Sequence, residues 1–192
     1  MRKMENTKEK ILHEAVALYV RKGYGQTSMR NLAEKLGITV GALYKHYRSK
    51  QDIFETVLHR MEELDRLFAE RCGLPEQTYA EAPESYRSIS RESIVKFTLA
   101  MFRHWTSDPF PAAFRKILTQ EQYHSKAMAT LYQQYFGQGP LEYIKDLFRA
   151  SGCARPEEEA LRFYSIFHFM LGQYDTSGQK SKITEQLKEL LS

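Results

Sequence analysis

Apolar side chains recur along this chain at intervals of three and four residues, the period of one helix face. From Thr7 to Lys22 they fall at Ile11, Ala15, Leu18 and Tyr19. Asn6 or Thr7 is placed to cap that helix, and Gly23 and Gly25 to end it. Ser28 to Leu36 and Thr39 to Tyr47 predict two short helices, and Lys50 to about Arg71 a long one with Ile53, Val57, Met61, Leu64 and Phe68 inward. Gly73 to Ser90, with two prolines and many small polar residues, reads as a long connection. The helical period resumes from about Arg91 to Thr106 and again after Asp108-Pro109 to about Gln122. It returns from Ser125 towards Arg149, with a bend expected around Gly137-Gln138-Gly139-Pro140. Pro156 and three glutamates open a further helix to about Tyr174, since proline and acids suit a first turn. Ser181 to Leu191 closes the series with Ile183, Leu187, Leu190 and Leu191. No alternating strand pattern and no internal repeat interrupts it. The predicted class is all-α.

Composition narrows this picture. A chain of 192 residues, 42% hydrophobic and 27% charged, has the makeup of a soluble globular protein. Most of its aromatic residues follow residue 90, which gives the second half capacity for flat apolar contact. The net charge of +4 is unevenly spread. Residues 1–50 hold 11 Lys and Arg against 4 Asp and Glu, a balance of +7, and the rest holds 17 against 20, a balance of −3. A basic first quarter on a mildly acidic body suggests a head that faces a polyanion.

Charges throughout the first 20 residues argue against a secretory signal. The longest uncharged apolar run, Phe163 to Tyr174, is too short to span a bilayer. Cys72 and Cys153 lack metal-ligand spacing and suit a reducing cytoplasm, with a disulfide as the alternative. No nucleophile, phosphate-loop or zinc-protease motif occurs, so the expectation is a non-enzyme without cofactor or metal. His59 and Glu63 stand four apart on one helix face, a spacing that surface pairs use far more often than metals.

The densest pattern lies between Ser28 and Tyr47. Met29, Leu32, Leu36, Ile38 and Leu43 are apolar, and small Ala33 lets two short helices cross closely. Gly37 accepts the positive φ of a three-to-four-residue turn, so the arrangement is a helix-turn-helix. Thr27-Ser28 is an N-cap that would leave a hydroxyl free to meet phosphate.

Ala33, Gly37, the run Gly41-Ala42-Leu43-Tyr44-Lys45-His46-Tyr47, then Ser49-Lys50 and Ile53-Phe54 resemble the signature of TetR-family transcriptional regulators. The likeness covers roughly residues 7 to 58. It implies a three-helix helix-turn-helix DNA-binding domain over residues 1–50 and a helical effector-binding and dimerisation domain over 51–192. It also implies double-stranded operator DNA, a small-molecule effector and a second copy of the chain as partners, no membrane, and a cytoplasmic repressor. An activator, or a helical interaction module without effector, is the alternative.

By that resemblance the helix from Thr39 lies in the major groove, with Thr39 at a phosphate and Val40, Gly41 and Ala42 leading. Thr27, Ser28, Met29, Arg30, Tyr44 and Lys45 flank the contact, Arg30 being the side chain suited to a guanine edge. Lys50 is the expected phosphate clamp, so that Lys50→Ala lowers the salt slope of binding by about one. Tyr47 and His46 suit either packing or the DNA rim. Met101, Trp105, Tyr123, His124 and Phe167 are the expected effector contacts. Leu161, Tyr164, His168, Leu171, Ile183, Leu187 and Leu190 are the expected dimer stripe. Glu121 is either near a cationic effector or, more simply, solvated surface.

Overall fold

A computed structural model describes residues 2–75, 77–177 and 179–191, with side chains from Thr7 onward. The helices are α1 (Arg2–Lys22), α2 (Met29–Leu36), α3 (Val40–Tyr44), α4 (Lys50–Cys72), α5 (Arg91–Ser107), α6 (Pro109–Glu121), α7 (Lys126–Phe136), α8 (Gln138–Ala150), α9 (Pro156–Thr176) and α10 (Lys180–Leu191). A 3-10 turn covers Pro83–Tyr86, and the described residues contain no strand. The protein is all-α, with an N-terminal helix-turn-helix followed by a helical domain.

Three expectations shift. Helix α1 begins at Arg2, so Asn6 and Thr7 lie within it and not at its start; the side chain of Asn6 is outside the described residues. The helix expected to bend near Gly137 is two helices, because Gly137 and Gly139 sit where a Cβ would strike Gln133 and Gln134. The segment after Gly73 is a packed strap. Tyr86 is 1% exposed and donates its hydroxyl to Gln77 O at 2.8 Å. Tyr143 of α8 donates to Pro75 O at 3.1 Å, and Tyr79 N donates to Asp146 at 3.0 Å. Glu76 lies outside the described residues.

The chain forms two compact units, each discontinuous in sequence. The first comprises Met1–Arg66 with Pro109–Tyr132. Its interior holds Ile11, Ala15, Leu18 and Tyr19 of α1, Leu32 and Ala33 of α2, Leu43 of α3, Ile53, Phe54 and Val57 of α4, and Phe114, Ile117 and Leu118 of α6. Phe110 meets His13 edge-on at 6.4 Å, while Glu121 reaches Gly25. The order 13 to 25 on one strand of contacts and 110 to 121 on the other shows that α1 and α6 run parallel.

The second unit comprises Leu67–Asp108 with Gln133–Ser192. Phe97 and Phe102 of α5, Ile144, Leu147 and Phe148 of α8, Phe163 and Phe167 of α9, and Ile183 and Leu187 of α10 form its interior. Edge-on ring pairs knit it together: Phe102 with Phe167 at 5.9 Å, and Phe148 with Phe163 at 4.9 Å. No helix of the described residues is long and apolar enough to cross a membrane.

Candidate nucleic-acid interface

Helix α2 is held at both ends. The Ser28 hydroxyl accepts the Asn31 amide at 3.1 Å, and the Asn31 side chain accepts the Ser28 amide at 3.1 Å, which closes a capping box. Gly37 ends the helix at φ 66°, where the Ile38 amide turns back to Ala33 O at 3.0 Å. Helix α3, five residues long, is too short to persist by its own hydrogen bonds. Its stability comes from Leu43, 0% exposed, and from Thr39, whose hydroxyl accepts the Ala42 amide at 3.1 Å. The predicted continuation to Tyr47 is absent, because the chain turns after Tyr44 to bury Tyr47 at 4% exposure. At the start of α4 the Ser49 hydroxyl accepts the Asp52 amide, and the Asp52 carboxylate accepts the Arg48 amide.

This framework leaves Arg30, Thr39, Gly41, Tyr44 and Lys45 exposed, with Met29, Val40 and Ala42 half-buried between them. Gly41 is the informative member of this group. A Cβ built on it meets only the Thr39 hydroxyl, at 4.0 Å. Its φ is not in the left-handed region. Nothing in the protein requires glycine there, although a glycine inside a helix costs about 1 kcal/mol relative to alanine.

Two expected phosphate ligands are otherwise engaged. Thr27 is 3% exposed and its hydroxyl donates to Gly23 O at 2.8 Å. The Ser28 hydroxyl donates to Asn31 Oδ1 at 2.8 Å. The free hydroxyl expected at this cap is therefore absent, because the cap and the preceding turn consume both.

Lys50 is also committed. Its ammonium donates to Tyr24 O at 2.7 Å and Gly25 O at 3.3 Å, and lies 4.2 Å from the Tyr24 ring centre. Burial holds its pKa below the ordinary lysine range, and the Glu121 carboxylate pulls the other way. Glu121, expected on solvated surface, is 5% exposed and accepts the Gly25 amide at 3.3 Å. The residue that sequence reasoning missed here is Tyr24, whose carbonyl and ring receive Lys50. Its only sequence signal is the flanking pair of glycines.

The remaining expected sites divide. Met101, Trp105 and Phe167 are buried in the second unit, where Trp105 and Phe68 both touch His104, at 5.0 and 4.5 Å. Tyr123, 83% exposed, and His124, also exposed, belong to the first unit and sit on the turn after α6. Tyr164, Leu171, Ile183 and Leu187 are core, because α9 and α10 pack on each other; they are not free to meet a partner. Leu161 and Leu190 stay about half exposed, at 56% and 50%, and His168 is half-buried. Phe169, 63% exposed, joins Met170, Gln173, Gln186, Glu189 and Leu190 around a shallow groove. Phe169 was missed, yet α9 is apolar on more than one face, and such a helix leaves some apolar residues outside. His59 pairs with Glu62 at 3.2 Å, and no group of three His, Cys, Asp or Glu among the described residues is placed to hold a metal.

The sequence model for "Bacterial regulatory proteins, tetR family" matches residues 11–57, the span from the inner face of α1 to the first turns of α4. Among curated proteins, the HTH-type transcriptional repressor BepR of Brucella suis is 31% identical over 102 residues, covering 48% of this chain and 48% of that protein. The chain thus spans about half the length of that relative, and less of the next two. Among solved structures, MexZ, described as a key repressor responsible for antibiotic resistance in Pseudomonas aeruginosa, superposes with a TM-score of 0.69 at 16% identity. That alignment covers 97% of this chain and 94% of the other. A transcriptional regulator from Saccharomonospora viridis, solved in complex with choline, gives 0.66 at 18% identity over 97% and 96% of the two chains. These two likenesses show the fold. Over the helix-turn-helix, residues 11–57, the chain is similar to the tetR family of bacterial regulatory proteins.

Proposed function

We propose that this chain is a dimeric, ligand-responsive transcriptional repressor that reads operator DNA with α3. In this reading residues 1–50 are the DNA-binding part and residues 51–192 bind effector and pair the two copies. Gly41 carries the reading. It is exposed at the front of a short helix, it has open space around it, and it costs helix stability that alanine would restore. A surface without a side chain is useful where a partner must come close, as a base edge does in the major groove. Arg30, Tyr44 and Lys45, all exposed, offer groups for base edges and phosphates. Thr39 offers its helix N-terminus to a phosphate. Thr27, Ser28 and Lys50 act behind this surface, by shaping it.

The effector reading is supported by the aromatic cluster of the second unit, half-buried Phe68 with buried Phe97, His104 and Trp105, and by the choline bound to a neighbour of the same fold. Aromatic faces favour a flat or cationic molecule. A dimer is supported by Leu161, Phe169 and Leu190, which the protomer leaves open.

The test is fluorescence anisotropy with a labelled duplex spanning the region upstream of this chain's own gene, against a scrambled duplex of the same composition. The expected result is preference for the former by about 10³-fold or more, lost steeply with salt. Equal affinity for both duplexes would overturn the reading. Repeating the titration with choline and with apolar cations tests the effector, whose coupling should be roughly 5–150-fold.

A further inference from the structure

The turn that joins α1 to α2 is gripped from two sides. Lys50, opening α4, takes the carbonyls of Tyr24 and Gly25 at 2.7 and 3.3 Å. Glu121, closing α6, takes the amide of Gly25 at 3.3 Å through Oε2. Its Oε1 occupies the space above Gly23, where a Cβ would come to 2.8 Å. Gly23 has φ +86°, so both its conformation and its neighbour exclude a side chain. Thr27 then fastens the far end of the turn to Gly23 O, and Ser28 caps α2 one residue later.

A carboxylate at 5% exposure with a single long hydrogen bond is an expensive way to fill space. A leucine would pack α6 against α1 at lower cost. What a carboxylate adds is an acceptor directed at one backbone amide, and a negative charge near the ammonium that holds the carbonyls of the same turn. The opposing grips fix the turn in both directions. Helix α2 has no other covalent lead-in, and α3 is seated on α2 through Ala33, Gly37 and Leu43. The orientation of the exposed tip of α3 therefore depends on this turn.

We infer that Glu121 is a positioning residue for DNA binding. From α6, more than 60 residues beyond the matched motif, it sets the α1–α2 turn and so the seating of the helix-turn-helix. The inference rests on the DNA-binding reading above and deepens it.

Glu121→Gln and Glu121→Ala, made in the full chain, test it. The glutamine is nearly isosteric and can still accept from Gly25, so it should fold even if the alanine variant is weakened. Two readouts are taken. The first is the Gly25 amide resonance in a ¹⁵N–¹H correlation spectrum, which should move in both variants and furthest in Glu121→Ala, while Gly73 and Gly152 stay in place. The second is duplex affinity as a function of salt. Affinity should fall roughly tenfold in Glu121→Ala and less in Glu121→Gln, with the salt slope unchanged, because no phosphate contact is lost. A residue that served stability alone would lower the melting temperature and leave the affinity of the folded protein as it was. Wild-type affinity in both folded variants, or an unmoved Gly25 amide, overturns the inference. If the wild type prefers no duplex, the DNA-binding reading itself has failed, which the same titration shows.

Discussion

Each unit of this protein leaves something uncovered, and the two surfaces differ in kind. The tip of α3 exposes Thr39, Gly41, Tyr44 and Lys45, with only small Val40 and Ala42 half-buried between them. The outer side of α9 and α10 exposes Leu161, Phe169 and Leu190, large apolar side chains at 56%, 63% and 50%. A polyanion that approaches closely wants the first surface: little bulk, donors at the edges and a positive surround. Another protein wants the second, where burying each apolar side chain contributes about 1.5–3 kcal/mol. The difference shows that exposure alone does not identify a site; what matters is which partner would lose least by covering it.

The largest test of that contrast is Gly41→Trp. The space around Gly41 is open, so the variant should fold with a melting temperature close to wild type. Its bulk at the groove should cut specific affinity to the non-specific level, by about 10³-fold or more in a gel-shift titration. Normal binding by the variant would remove α3 from the groove. Next in size is the double change Phe169→Glu with Leu190→Glu. Charge on the apolar face should give monomers in sedimentation equilibrium at micromolar concentration. Loss of the second head should then lower operator affinity by about 10²-fold through effective concentration. A dimer that survives both charges would place the interface elsewhere.

Lys50→Ala sharpens the first surface further, because it separates contact from support. A phosphate ligand and a turn clamp both weaken binding when removed, here by roughly tenfold. They differ in salt dependence. Loss of a phosphate contact lowers the slope of log affinity against log salt by about 0.9, whereas loss of a clamp leaves it unchanged. With its ammonium on Tyr24 O and Gly25 O, the expected outcome is an unchanged slope and a lower melting temperature.

These contrasts explain what the sequence made legible. The helix-turn-helix was readable because its requirements are local: Ala33, Gly37 and Leu43 act within ten residues of one another. The helices of the body were readable from periodicity, apart from the break at Gly137, where two close approaches between neighbouring turns decide the matter. Glu121 was not readable, because its partner lies 96 residues earlier and a lone glutamate at a helix end has the appearance of surface. Neither was the division of the apolar stripe on α9 and α10. Periodicity shows that Tyr164, Leu171, Ile183 and Leu187 share a character with Leu161 and Leu190. It does not show which of them the protomer itself covers.

The smallest test uses one methyl group. Gly41→Ala adds a Cβ that meets nothing closer than the Thr39 hydroxyl at 4.0 Å. It also removes the helix penalty of glycine, so the variant should be more stable by about 0.5–1 kcal/mol in chemical denaturation. If the missing side chain serves only the protein's own packing, binding should be unaffected or slightly improved. If it serves the approach of a base edge, the same variant should bind the operator several-fold more weakly while being the more stable protein. Opposite signs from one substitution are hard to produce by damage to the fold. They would show that the small residues at the front of α3 are kept for what lies outside the molecule.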